Sequence, residues 1–135
     1  MMHVSRSEDY ALILVQSLTK AYKKRLIPLS EIAKKHNLSL LFLRNIAASL
    51  KRVGFITAIE GRKGGYKLLK DPKSIQLGNI IEASSKKTFL SCCQKTKDGK
   101  CQAKTCPHGF SLRRLQNQFL EQIYHIKLSE ITKNA

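Results

Sequence analysis

The sequence predicts a mostly α-helical chain carrying a small β-hairpin: a winged helix-turn-helix followed by a long dimerisation helix. Three observations predict it. Two amphipathic helical patterns, in "LSEIAKKHNLSLLFLRNIAASLKRVGFI", are joined by a tight turn. A glycine-rich hairpin pattern, "FITAIEGRKGGYKLLKD", follows at once. Near the C-terminus, a long helical pattern carries an apolar stripe wider than one small domain needs to cover.

The first helix begins at "SRSE", where Ser5 and Glu8 have the spacing of a capping box. Ala11, Leu14, Val15, Leu18, Ala21 and Tyr22 then recur on one face, and Pro28 is expected to end the helix. Ser30 is the expected N-cap of a short second helix to His36, with Ile32 and Ala33 facing inward. Asn37 and Leu38 make the turn, and Ser39 caps the third helix. There Leu43, Ile46, Ala47, Leu50 and Val53 form the inner stripe, while Arg44, Asn45, Ala48, Ser49, Lys51 and Arg52 lie opposite. Gly54 suits the left-handed position just past a helix end.

The hairpin should run Phe55 to Ile59 and Tyr66 to Leu69, with Arg62 and Lys63 at its tip. A hairpin directly after a recognition helix is a wing, and its basic tip suits a phosphate backbone or the minor groove. "SIQLGNIIEAS" reads as another short helix with Leu77, Ile80 and Ile81 buried. The long helix is expected from Phe110 to Ile126, its stripe made by Leu112, Leu115, Phe119, Leu120, Ile123 and Ile126. A tail helix follows in "KLSEITK". The chain thus divides into a DNA-binding part (1–84), a cysteine-rich loop (85–107) and a dimerisation helix with its tail (108–135).

Charge points to the partner. Lys and Arg number 25 against 9 Asp and Glu, a formal +16 that repels itself unless a polyanion is nearby. In the third helix, Arg44 can donate a bidentate pair to guanine and Asn45 can pair with adenine. Ser39, Lys51, Arg52, Arg62 and Lys63 complete the expected contacts, mostly to phosphates. The expected partners are a double-stranded DNA operator and a second copy of the chain. The N-terminus carries charge at once, and "ALILVQSL" is broken by Gln16 and too short to span a bilayer. No membrane partner and a cytoplasmic location are therefore expected. No Ser-His-Asp set and no phosphate loop occurs, so the chain does not read as an enzyme.

All four cysteines, Cys92, Cys93, Cys101 and Cys106, fall within one polar segment. A reducing compartment favours metal or redox chemistry over structural disulfides there. Soft thiolates on a flexible loop suit an iron–sulfur cluster, while the lack of a CxxC pair argues against zinc. A thiol switch in a basic loop is the competing reading.

The order "EDYAL", the helix-turn-helix segment, "GRKGGYKL", "IQLGNIIEA", three spaced cysteines and a terminal "IKLSEI" resembles one family over nearly the whole chain. It is that of the Rrf-type winged-helix transcriptional regulators, the IscR- and NsrR-like iron–sulfur repressors. The resemblance implies a homodimeric repressor whose operator binding follows the state of a two-iron or four-iron cluster. It implies Cys101 and Cys106 as ligands, with Cys92 or Cys93 as the first; spacing favours Cys93. It also implies a variable fourth ligand: a histidine just beyond the last cysteine, for which His108 is available, or an acidic residue near the start of the first helix supplied by the other subunit, for which Asp9 is available. Some members sense through thiols or bound metabolites instead, and a basic RNA-associated protein with structural zinc is a further alternative.

Overall fold

The computed structural model describes residues 6–84 and 109–132. Its elements are α1 (Arg6–Lys20), α2 (Leu29–His36), α3 (Leu40–Arg52), β1 (Ile56–Ile59), β2 (Gly65–Leu68), α4 (Leu77–Ser84), α5 (Gly109–His125) and α6 (Leu128–Thr132). The expected fold class, mostly helical with one hairpin, is the one observed.

Helix α1 buries Ala11, Leu14, Val15 and Leu18, the face its spacing predicts. It does not run on towards Pro28. Lys23 adopts a left-handed conformation at φ +60°, which a right-handed helix cannot accommodate, and the helix stops at Lys20. The N–H groups of Lys24 and Arg25 both turn back to the Ala21 carbonyl, at 2.9 and 3.3 Å. Helix α2 also starts earlier than expected. Pro28, not Ser30, holds the N-cap position, with extended backbone and no side-chain cap. A proline costs nothing there, because that N–H would have no helical acceptor.

Asn37 takes φ +52° and closes α2, and Ser39 caps α3 by accepting a bond from the Phe42 N–H at 3.4 Å. Leu43, Ile46, Ala47 and Leu50 face the core as predicted. Val53 does not: it is the C-cap, past the last helical turn, and is 51% exposed. Gly54 follows at φ +79°, in the position expected of it.

Strand β1 starts one residue later than expected, leaving Phe55 just outside, and β2 is displaced by one residue toward the N-terminus, leaving Leu69 outside. The pairing is antiparallel, with Ile56 opposite Leu68 and Ile59 opposite Gly65. A third segment joins this hairpin, which periodicity did not foretell. Ile27 exchanges both backbone bonds with Tyr66, at 3.0 and 2.8 Å. The wing is thereby fastened to the entry of α2. A Cβ on Gly65 would stand 2.8 Å from the Ile27 carbonyl carbon, so only glycine admits this approach.

Helix α4 buries Ile80 and Ile81, whereas Leu77 is only half-buried. Helix α5 begins at Gly109 and ends at His125, one residue earlier at each end than expected. The tail returns to the main body. Leu77 donates its N–H to the Ile126 carbonyl and Leu128 donates to Ile75, both at 2.9 Å. Leu128 is fully buried in the same core as Leu14, Leu43, Leu50 and Ile80. On α5, Leu115 is 62% and Phe119 46% exposed, although both belong to the apolar stripe.

Candidate nucleic-acid interface and sensor segment

The turn between α2 and α3 sets where the third helix starts, and a second contact fixes that start. The Ser39 N–H donates to the Tyr10 hydroxyl at 3.2 Å. The Tyr10 ring meets Phe42 edge to face, with centroids 4.9 Å apart and planes at 87°. Helix α1 therefore grips the first turn of α3 at both its backbone and a side chain. No pattern in the sequence singles out Tyr10. Its signal was weak, since an aromatic beside the buried face of α1 usually only packs.

From this fixed origin, Arg44 and Asn45 project on the exposed side of α3. They share that side with Leu41 and Ala48, at the i, i+3, i+4 and i+7 spacing that places residues in one stripe. Lys51 and Arg52 occupy the last turn and are exposed. They complement the negative end of the helix dipole as well as any phosphate near it. Arg62 and Lys63 are exposed at the wing tip. There the Gly64 N–H closes the turn on the Gly61 carbonyl at 3.0 Å, and Gly61 sits at φ +119°. Ser39 is exposed too, and its hydroxyl already serves as the helix cap. The seven residues predicted to meet DNA thus lie on the recognition helix, its cap and the wing.

The residues expected to form the sensor are placed differently. Cys92, Cys93, Cys101, Cys106 and His108 lie outside the described residues. Asp9 is described: it is exposed in the first turn of α1, one residue before Tyr10. Its neighbour Glu8 is buried, which "EDYAL" did not reveal. Among the described residues, no three His, Cys, Asp or Glu side chains come together as a metal site.

Two further features bear on how the parts are joined. The Arg25 guanidinium forms a two-pronged pair with Glu31, at 2.8 and 2.5 Å, holding that carboxyl below its usual range. This pair borders a groove of about 380 Å³ between α1 and α2, floored by Ile13, Ala21 and Ile32 and rimmed by Lys20, Lys24 and Lys35. Where α4 meets α5, burial and the neighbouring Glu82 carboxylate push the Tyr124 hydroxyl up to about 12. The ring of Tyr124 lies directly over Gly78.

Comparison with known proteins covers almost the whole chain. The Rrf2 family profile, described as iron-dependent transcriptional regulator, matches residues 4–134. The HTH-type transcriptional regulator IscR of Vibrio campbellii is 26% identical over 134 residues, spanning 98% of this chain and 79% of that protein. Among solved structures, CymR, the global cysteine regulator of B. subtilis, superposes with a TM-score of 0.79 at 24% identity, covering 100% of this chain and 99% of that one. The oxidized form of Staphylococcus aureus CymR gives 0.76 at 25% identity, covering 97% and 96%. No described helix is long and apolar enough to cross a membrane.

Proposed function

Since the chain belongs to the Rrf2 family of transcriptional regulators, DNA-binding proteins rather than enzymes, we propose that it is a homodimeric repressor whose operator affinity follows an iron–sulfur cluster in the segment Cys92 to Cys106. The observation that carries the DNA half is the exposed stripe with Arg44 and Asn45, started from a helix end that Ser39 and Tyr10 fix together. A fixed start matters because bidentate base contacts tolerate little displacement of the helix. Lys51, Arg52, Arg62 and Lys63 add phosphate contacts that set affinity and its dependence on salt.

The donor set fits the cluster. Cys93, Cys101 and Cys106 supply soft thiolates, with Cys92 beside the first, and Asp9 or His108 is the remaining donor. When bound, such a group supplies a centre that oxidants, nitric oxide or iron shortage can alter. Asp9 in this reading comes from the first turn of α1, next to the residue that holds the start of α3. The exposed Leu115 and Phe119 of α5 support a dimer, because burying them against a second copy removes apolar surface from water.

A second reading is a cluster-free regulator that senses through thiols or a metabolite. The Cys92–Cys93 doublet and the CymR likeness favour thiols, and the groove beside Arg25 offers space for a small ligand. A family of transcriptional regulators sets aside the basic RNA-associated reading.

One experiment separates the readings. The purified chain is reconstituted anaerobically with iron and sulfide, then assayed for bound metal, mass in solution and affinity for a duplex operator. The expected result is a dimer holding iron and sulfide, lost in Cys101→Ala and Cys106→Ala, with affinity that differs between loaded and stripped protein. Uptake of neither element, with affinity that responds to thiol oxidants, would replace the cluster by a thiol switch.

A further inference from the structure

The surface of α3 contains one residue that neither its charge nor its packing explains. Leu41 is 71% exposed in the first turn of the recognition helix. Every other leucine, isoleucine or phenylalanine of that helix is engaged: Leu43, Ile46 and Leu50 are buried, and Leu40 and Phe42 pack against the core. Leu41 alone is left in water, on the same stripe as Arg44, Asn45 and Ala48.

We infer that Leu41 reads a thymine, by packing on its 5-methyl group beside the bases met by Arg44 and Asn45. This rests on the operator-binding role of α3 proposed above. The major groove presents one apolar group, the thymine methyl, and a short aliphatic side chain is its complement. Residues near the N-terminus of a recognition helix are the ones that reach base edges. Leu41 stands there, two positions after the Ser39 cap, and Arg44 follows one turn later on the same side. Three residues advance about 4.5 Å along the axis, more than the spacing of one base pair, so the two side chains meet different base pairs. Each therefore makes an independent demand on the sequence. A dry contact between Leu41 and a methyl group also shields the neighbouring polar pairs from water. Ala48, about 10 Å further along the axis, closes the stripe with a methyl too short to make the same reach.

The test removes single atoms. An operator is selected from a random duplex library with the full chain, and each of its thymines is then replaced in turn by deoxyuridine, which lacks only the methyl. One position per half-site should lose about fourfold in affinity, the worth of one buried methyl. It should adjoin the position whose preference relaxes in Arg44→Ala. With Leu41→Ala, an exposed change that keeps the helix, the same replacement should cost nothing, and affinity for unrelated DNA should stay as in the wild type. A wild type that selects an operator yet ignores every methyl overturns the inference and leaves the regulator standing. So does a methyl effect that persists undiminished in Leu41→Ala. A wild type that selects no sequence overturns the operator reading and this inference together.

Discussion

Replacing Gly78 by alanine should loosen the joint between α4 and α5, although alanine is the better helix former. A Cβ at this position would stand 2.7 Å from Cδ2 of Tyr124, with Cγ and Cδ1 nearer still. Ordinary carbon contacts need about 3.5–4.0 Å, so the ring must withdraw by roughly 1 Å or more. Forcing one methyl into such a contact costs typically about 1–3 kcal/mol. The gain in helix propensity, about 1 kcal/mol in a helix interior, is smaller here because Gly78 lies in the first turn. The net expectation is a loss of about 1–2 kcal/mol, a fall in Tm of several degrees for a chain of this size. The withdrawn ring also carries the hydroxyl bonded to Glu82, so that bond weakens with it. Thermal unfolding followed by circular dichroism, on Gly78→Ala, Tyr124→Leu and the double variant, measures the coupling. The double variant should be less damaged than the sum of the singles, because leucine vacates the space that the new methyl needs. A Gly78→Ala protein as stable as wild type, or strictly additive losses, would refute the reasoning.

The remaining expectations concern DNA, the helix start and pH. Arg44→Ala should cost about 1–3 kcal/mol at the selected operator and relax one base preference per half-site, whereas Lys63→Ala should weaken all duplexes alike and flatten the salt slope by about 0.9 per lost phosphate contact. Competition binding at several salt concentrations separates the two. Tyr10→Phe keeps the ring against Phe42 but frees the exposed Ser39 N–H to water, so stability should change by under about 1 kcal/mol while specific affinity falls more than non-specific affinity. Equal losses in both affinities would mean that Tyr10 does not orient α3. The raised Tyr124 hydroxyl adds stability that is complete below pH 10 and is lost as pH climbs to about 12, since the unfolded chain releases that proton first. Tyr124→Phe should remove this alkaline slope in urea titrations between those limits.

How much of this was legible depended on the range of the interaction concerned. The inner faces of α1 and α3, the Ser39 cap and Gly54 came through because spacing and capping are written within a turn or two of sequence. The end of α1 did not. Pro28 is a strong breaker, but the left-handed Lys23 acted first, and nothing in a lysine announces that conformation. The Ile27–Tyr66 pairing, the seat of Tyr124 on Gly78 and the burial of Leu128 join residues far apart in the chain. A single sequence carries no local mark of such meetings. For Gly65 and Gly78, only the approaching partner explains why neither has a side chain. On α3 and at the wing tip, charge made the exposure of Arg44, Lys63 and their neighbours legible. Leu41 was missed because an apolar residue beside a buried stripe looks like part of it.

The first turn of α1 brings these strands together. Consecutive helix residues point about 100° apart. Glu8 is turned into the protein, Asp9 outward to solvent, and Tyr10 across to the cap of α3. An N-terminal turn ordinarily frays, since its first N–H groups have no helical acceptor. Here the buried Glu8 and the bridging Tyr10 hold it on two sides, with Asp9 displayed to solvent between them. In the proposed sensor reading, a ligand drawn onto the Asp9 carboxylate would also load the contact at Ser39. A carboxylate on a freely fraying end would pass on no such strain, so in the proposed reading the pinned turn is what would couple Asp9 to α3.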